Sequence, residues 1–388
     1  MKIVHVCLAQ PYYNDYWGYQ ENIIPKYQKK DGHDVTVITS VLRYDVKGSN
    51  GFREVNPGSY VLTDGVKVVR IPYKRSPLNK RLRMYVGLYE KLCAEKPEII
   101  FVHGCQFLDI RHIVRYVKVN RNVRVYVDNH ADFVNSARNF VSRNVLHRWL
   151  WRYCAKSIEP FTCKFYGVLP ARVDFLKQVY NISECKVDLL VMGADTEKIN
   201  LDKWHNTRTT IRQKLTLDED DFVIITGGKI DEKKKIHCLM DAVNRLGDDK
   251  VKLIVFGLPN NEMKRVVESL TSSATRYIGW LSADEVYDYF LASDLAVFPG
   301  THSVLWEQAV GTGLPAIFKK WDGMTHVDVG GNCMFVEEGT VEELLLVIES
   351  VVRDKNHYNK MKHVAVTKGI PYFSYANIAR VAIGEKTT

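Results

Sequence analysis

Two lysines stand after a glycine pair in this chain: Gly227-Gly228-Lys229, with Lys234 five residues further on. They follow the apolar run Phe222–Thr226, whose length and composition predict a buried strand. Glycines let a backbone approach a ligand closely, and two cations at a strand end suit a diphosphate. Taken alone, Lys233, Lys234 and Lys235 read equally as a solvated charged face. Downstream, residues 298–308 (Phe-Pro-Gly-Thr-His-Ser-Val-Leu-Trp-Glu-Gln) follow a second apolar run and lead into a helix. Free amides at that helix start, near Ser303 and Val304, favour an anion. Glu307 or Gln308 in the first turns can accept hydrogen bonds from ribose hydroxyls. Ordinary capping of the helix by Ser303 is the competing reading. Fixed cations plus a helix N-terminus are what a nucleoside diphosphate leaving group needs.

The elements that must position these groups alternate along the chain. Strands are expected at Lys2–Leu8, Val35–Thr39, Val66–Ile71, Glu98–His103 and Val123–Val127. Helices are expected at Gln20–Lys30, Leu78–Ala94 and Asp109–Val119. The rhythm restarts with strands at Phe222–Thr226, Lys252–Phe256, Arg276–Ile278, Leu295–Phe298 and Ala316–Phe318. Such alternation predicts parallel sheets with helices on both faces. It sets an α/β class with two doubly wound, Rossmann-like domains, 1–198 and 199–370, and an interdomain cleft as the natural ligand site. Residues 200–210 are polar and read as a linker. Residues 371–388 predict a final helix whose Phe373, Tyr375, Ile378, Val381 and Ile383 need a surface, which the N-terminal domain would supply.

The totals fit this division. The chain has 388 residues, 46% of them hydrophobic and 26% charged, enough for two cores and unlike a disordered chain. A net charge of +9 points to an anionic partner without choosing one. The eight cysteines include no CxxC pair, which suits buried, reduced thiols in a cytosolic protein. The first residues read as a strand rather than a signal peptide, and no apolar stretch reaches the ~20 residues of a membrane span. The expected location is therefore the cytoplasm.

Several segments resemble the family 4 glycosyltransferases of the GT-B fold. The element Gly228-Lys229 with Lys234 is similar to that family's Gly-Arg/Lys…Lys motif. Residues 276–282 (Arg-Tyr-Ile-Gly-Trp-Leu-Ser), 292–299 (Ala-Ser-Asp-Leu-Ala-Val-Phe-Pro) and 308–315 (Gln-Ala-Val-Gly-Thr-Gly-Leu-Pro) look like its C-terminal signature. The family carries two glutamates eight residues apart; here the second position holds Gln308, beside Glu307, and the first holds Gly300. Gly18-Tyr19-Gln20-Glu21-Asn22, the segment 32–38 and Gly193-Ala194-Asp195 resemble the N-terminal motifs. Residues 128–132 (Asp-Asn-His-Ala-Asp) place His130 where the family has a histidine facing the donor sugar, although a lone histidine is usually structural. Residues 372–378 resemble the closing helix.

The resemblance implies a sugar transferred from a nucleotide donor, with UDP the commonest, to an acceptor hydroxyl, with retention of configuration and no metal or other cofactor. It places Lys229 and Lys234 on the leaving diphosphate, Gly18, Gly227 and Gly228 near the donor phosphates, and His130 on the sugar. The acceptor, a glycan or lipid-linked glycan, is expected on the N-terminal half near Tyr19 and Asp132. Arg138, Arg143, Arg148, Arg152 and Lys156 interleave with Phe140, Val145, Trp149 and Tyr153. That pattern fits either an amphipathic helix resting on an anionic membrane, at the inner face of the plasma membrane, or a core helix with a solvated face. Rival readings are a GT-B nucleotide-sugar 2-epimerase and a non-catalytic basic protein binding membrane or nucleic acid. No nucleic-acid module is recognised, and no GxGxxG follows the first strand, which disfavours a dinucleotide oxidoreductase.

Overall fold

The computed structural model describes residues 1–386 except 11, 16, 45–50, 134, 135, 137, 138 and 200–203, with only the backbone of residue 141. Arg138 of the basic series and the first residues of the expected linker lie outside the described residues. The chain divides into two units. Unit 1 comprises Met1–Val191 and Ile378–Thr388; unit 2 comprises Met192–Asn377.

Unit 1 contains β1 (Lys2–Cys7), β2 (Asp34–Ser40), β3 (Leu42–Tyr44), β4 (Phe52–Glu54), β5 (Gly58–Val61), β6 (Lys67–Ile71), β7 (Ile99–His103), β8 (Arg124–Asn129), β9 (Thr162–Gly167) and β10 (Val187–Leu189). Eight of them form one sheet in the order β10-β9-β8-β7-β1-β2-β6-β5. All pairings are parallel except β5 with β6. The central strands read as unbroken apolar runs because both faces are covered. Val4, Val6, Ile100, Val102, Val125 and Val127 join one core with Leu88, Leu92, Ile113, Phe175 and Leu176. On the other face, Cys7, Val35, Val37, Val66 and Val68 form a second cluster. Each such side chain contributes about 1.5–3 kcal/mol. The last helix, Tyr375–Ala382, reaches unit 1, where Arg380 pairs with Asp31 and Tyr166 donates its hydroxyl to the Val381 carbonyl.

Unit 2 contains β11 (Phe222–Ile230), β12 (Val251–Pro259), β13 (Thr275–Tyr277), β14 (Leu295–Phe298), β15 (Ala316–Lys319) and β16 (Cys333–Val336). The order is β13-β12-β11-β14-β15-β16, all parallel. Its core combines Ile224, Leu253, Val255, Leu295, Val297 and Ile317 with Leu239, Val243, Leu344 and Ile348.

Three sequence expectations change. The helix over Leu78–Ala94 is two, Pro77–Arg81 and Leu88–Glu95, because Arg83 and Gly87 take left-handed conformations between them. The polar stretch read as linker is largely a helix, Trp204–Lys214. Its anchor is a fully buried arginine: Arg212 pairs with Asp294 at 2.7 Å and donates to the carbonyls of Asp218, Asp221 and Ala292. The eight cysteines are all free, but Cys93, Cys163 and Cys185 are exposed rather than buried.

Candidate active-site residues

In unit 2 the glycine pair is not a loop after the strand. β11 continues through it, pairing Gly228 with Gly257 and Lys229 with Leu258. A Cβ at Gly227 would overlap the Phe256 ring, and one at Gly257 would overlap the Gly228 carbonyl. Gly228 has φ +106°, open to glycine. The chain's own packing therefore demands these glycines. Lys229 emerges exposed, its Nζ 3.3 Å from Asp231.

Lys234 sits in the short 3-10 turn Glu232–Lys234, whose Asp231 side chain accepts from the Lys234 backbone N–H. Its Nζ donates to the carbonyls of Thr301 at 2.6 Å and His302 at 3.0 Å. Burial pushes the ammonium down to about 8; Asp231 opposes the shift and Lys229 adds to it. Gly300 is compulsory here, since a Cβ would run into the Lys233 carbonyl and the Lys234 backbone. The Thr301 N–H donates to that same Lys233 carbonyl. The family's first carboxylate position is thus closed by the approach of the lysine turn.

The helix Leu305–Gly311 has no side-chain cap, so Ser303 does not play the capping role weighed for it; the Trp306 N–H bonds its carbonyl instead. Ser303 and Val304 are half-buried at this helix start. Glu307 needs correction as a ribose acceptor. It is fully buried, and its Oε1 accepts from His302 Nε2 at 2.8 Å and His326 Nε2 at 2.9 Å. Burial alone would raise this carboxyl, but the two imidazoles outweigh it and draw it down to about 2. Gln308 is half-buried on the next position, against the Tyr287 hydroxyl. His302 and His326 lie 24 residues apart, so nothing in their spacing marks them as partners; the fold joins them through Glu307. The acidic run 218–221 is a turn, its Asp218 and Asp220 paired with Lys250.

In unit 1, β8 ends at Asp128 and Asn129, and His130 follows with a third of its side chain exposed. Asp128 Oδ2 lies 3.3 Å from His130 Nε2 and 2.8 Å from His103 Nδ1. Burial opposes its ionisation, yet the two imidazoles hold it well below the usual carboxylate range. Burial lowers His130, but Asp128 prevails and raises it. Asp132 does not point the same way: it is buried and bound by Arg172 Nε at 3.1 Å, a structural role that corrects its expected place at an acceptor. Gly18 has no positive φ and open space where a Cβ would stand, so the fold itself does not require glycine there. Tyr19 is half-exposed and meets Trp17 edge-on at 5.0 Å. Tyr12, Trp17, Tyr44 and Phe52 extend this into an aromatic group that the sequence reading missed. Its members come from distant segments with no shared spacing.

The basic aromatic segment winds as a π-helix over Val141–Trp151 and an α-helix over Arg152–Ile158. Phe140, Trp149 and Tyr153 are exposed by 78%, 79% and 68%, with His147, Trp151 and Cys154 turned inward. Among the described residues, no helix is long and apolar enough to cross a membrane.

Residues 207–366 match the family model for glycosyl transferases group 1. The lipopolysaccharide core biosynthesis glycosyltransferase LpsE of Rhizobium meliloti (strain 1021) is 26% identical over 150 residues, a match spanning 37% of this chain and 44% of that protein. Among solved structures, a glycosyltransferase from Rickettsia africae ESF-5 superposes with TM-score 0.68 at 13% identity, covering 98% of this chain and 96% of the other. Anabaena HepE in complex with UDP gives TM-score 0.64 at 16% identity, covering 98% of each chain. WaaG, a glycosyltransferase involved in lipopolysaccharide biosynthesis, gives 0.64 at 14%, covering 98% of this chain and 100% of that one. At such identities the structural likeness carries the fold alone. The match to the glycosyl transferases group 1 model is thus confined to residues 207–366, while the chain as a whole has the GT-B fold.

Proposed function

We propose that this protein moves a sugar from a nucleoside diphosphate donor, a UDP-sugar, to a hydroxyl of a glycan or lipid-linked acceptor, with retention and without a metal. The observation that carries the reading is Lys234. Its ammonium is pulled out of water and braced on two carbonyls ahead of a helix start with no side-chain cap, and exposed Lys229 lies five residues earlier in the chain. An ammonium held against its own desolvation gains most from an anionic partner. As the bond from the anomeric carbon to the diphosphate oxygen breaks, the acceptor oxygen bonds the same face of that carbon. The acceptor proton passes to the departing phosphate oxygen, and Lys234, Lys229 and the amides near Ser303 and Val304 take up the developing charge. Gln308 accepts from the ribose. His130 hydrogen-bonds the sugar, and Gly18 leaves room for donor phosphates. The match to the group 1 model and the UDP bound by the HepE structure support the donor class, and LpsE supports an envelope glycan as acceptor.

The test is a thermal-shift panel of UDP, GDP, ADP, CMP and NAD in EDTA, followed by product analysis with the stabilising nucleotide's sugars. Stabilisation by UDP in EDTA supports the proposal. Stabilisation by NAD alone, or by a nucleotide only when metal is restored, overturns it.

A second reading concerns location. The outward Phe140, Trp149 and Tyr153, flanked by Arg143, Arg148 and Arg152, suit a helix resting on anionic lipid at the cytoplasmic face of the plasma membrane. Co-sedimentation with phosphatidylglycerol vesicles but not phosphatidylcholine vesicles is the expected result; equal or no binding to both would refute it.

A further inference from the structure

We propose that His103 is a positioning residue of unit 1: it carries a proton on both ring nitrogens and, through Asp128, sets the orientation and protonation of His130. The proposal rests on the role given to His130 above. It comes from counting protons along one buried row of hydrogen bonds, which runs from the Ala379 carbonyl through Gln28, His5, His103 and Asp128 to His130.

The row has a fixed polarity at its far end. A backbone carbonyl only accepts, so the Gln28 group 3.0 Å from the Ala379 oxygen is its amide nitrogen. Gln28 Oε1 therefore faces His5 Nε2 at 2.7 Å, and that nitrogen bears the hydrogen. His5 is wholly buried on β1 and, among the described residues, hydrogen-bonds Gln28 and His103 rather than a carboxylate. Burial lowers it to about 3, with His103 adding to the effect and Gln28 and Asp128 opposing it, so the ring is neutral and Nδ1 is a lone pair. His103 Nε2 lies 3.0 Å from that lone pair and must donate to it. His103 Nδ1 is 2.8 Å from Asp128 Oδ2. A neutral His103 would turn a second lone pair on the carboxylate, which is repulsive. One more proton sits in this contact. An imidazole is a stronger base than a carboxylate, so the proton shared across this 2.8 Å contact belongs to His103.

The buried pair is thus an imidazolium and a carboxylate, 5% and 0% exposed. His130 Nε2 approaches the same Asp128 oxygen from the solvent side at 3.3 Å. Among the described residues, the other charges facing His130 include Glu21 on helix Gln20–Lys30 and Arg172 on helix Pro170–Gln178. Cys7 and Cys105 lie near Asp128, and burial keeps both as thiols. With His103 charged, much of the Asp128 field is already compensated. His130 is oriented by Asp128 without being locked as a cation, so it remains able to exchange hydrogen bonds with a sugar hydroxyl.

The experiment is nitrogen-15 NMR of the full-length, histidine-labelled protein across neutral pH, which separates an imidazolium from either neutral tautomer. His103 should show two protonated nitrogens throughout, and His5 a neutral ring protonated on Nε2. In His103→Gln, loss of the cation leaves Asp128 to act on His130 alone, and the His130 midpoint should rise by about one pH unit or more. A neutral His103 in the wild type overturns the proposal whether or not the variant folds, as does an unmoved His130 midpoint in a folded variant. Transferase pH profiles read the two claims apart. If the His130 midpoint moves in the spectra while the rate profile does not, the row stands and the role of His130 in transfer falls.

Discussion

Replacing Glu307 by glutamine separates two roles that the sequence leaves side by side. The carboxylate is fully buried and accepts from two imidazoles at 2.8 and 2.9 Å. Its shift from 4.5 to about 2 corresponds to about 3 kcal/mol of folding stability, at 1.36 kcal/mol per pH unit. Breaking a buried charge pair by removing one partner costs 3–5 kcal/mol in general, which agrees. The folded carboxyl titrates lower than the unfolded one, so this contribution is present above the unfolded value and fades as the pH falls through about 2. Glu307→Gln should therefore lose about 3 kcal/mol at neutral pH, roughly 6–12 °C in the transition of unit 2. The difference from wild type should shrink as the solution is acidified. Calorimetry and urea unfolding at several pH values measure it, alongside the donor KM. Gln308→Ala should do the reverse, raising the donor KM with little change in stability. A Glu307→Gln variant that loses less than about 1 kcal/mol and binds donor poorly would refute the argument and return the ribose to Glu307.

Lys234→Met should lower kcat/KM by about tenfold or more, since a charge-assisted hydrogen bond contributes about 1.5–3 kcal/mol; steady-state kinetics with the stabilising donor decide it. In the wild type, the lysine loses its charge as the pH rises through about 8, so kcat/KM should fall across that range and the Met variant should lack this limb. Gly300→Ala should cost about 1–3 kcal/mol and weaken nucleotide binding together, because the new methyl displaces the Lys234 turn; urea unfolding and thermal shift with UDP test both. Trp149→Ser combined with Phe140→Ser should reduce binding to anionic vesicles while leaving the melting temperature within about 1 °C, as both side chains are largely in solvent. An unchanged vesicle affinity would discard the membrane face.

The sheets were legible because their strands are short runs of Val, Ile and Phe buried on both sides, such as Ile99–His103 and Leu295–Phe298. Strands with polar or mixed residues were not: Thr162–Gly167 pairs through its backbone while Cys163 and Lys164 face outward. Trp204–Lys214 hid for a related reason, since its buried anchor is Arg212, and only the carbonyls of Asp218, Asp221 and Ala292 make that burial tolerable. At the candidate site, Lys229, Lys234 and the helix start followed from spacing within one segment. His302 with His326, and His5 with His103, could not follow, because each pair is joined by tertiary packing alone. Gly300 shows the opposite limit: the substitution was visible, but its cause, a backbone lying where a side chain would go, exists only in three dimensions.

Unit 1 is assembled from two separated segments, Met1–Val191 and Ile378–Thr388, with unit 2 inserted between them in sequence. A ribosome making this chain from its N-terminus delivers residues 1–191 first, yet the helix that supplies the Ala379 carbonyl and the Arg380 partner of Asp31 emerges after all of unit 2. Residues 192–377 are contiguous and can complete their fold while the first unit still waits. The amide of Gln28, and with it the proton order proposed from His5 to His130, is fixed only once that helix is in place. Nascent chains halted short of residue 378 would hold a finished unit 2 and an N-terminal segment whose histidine row is still unset.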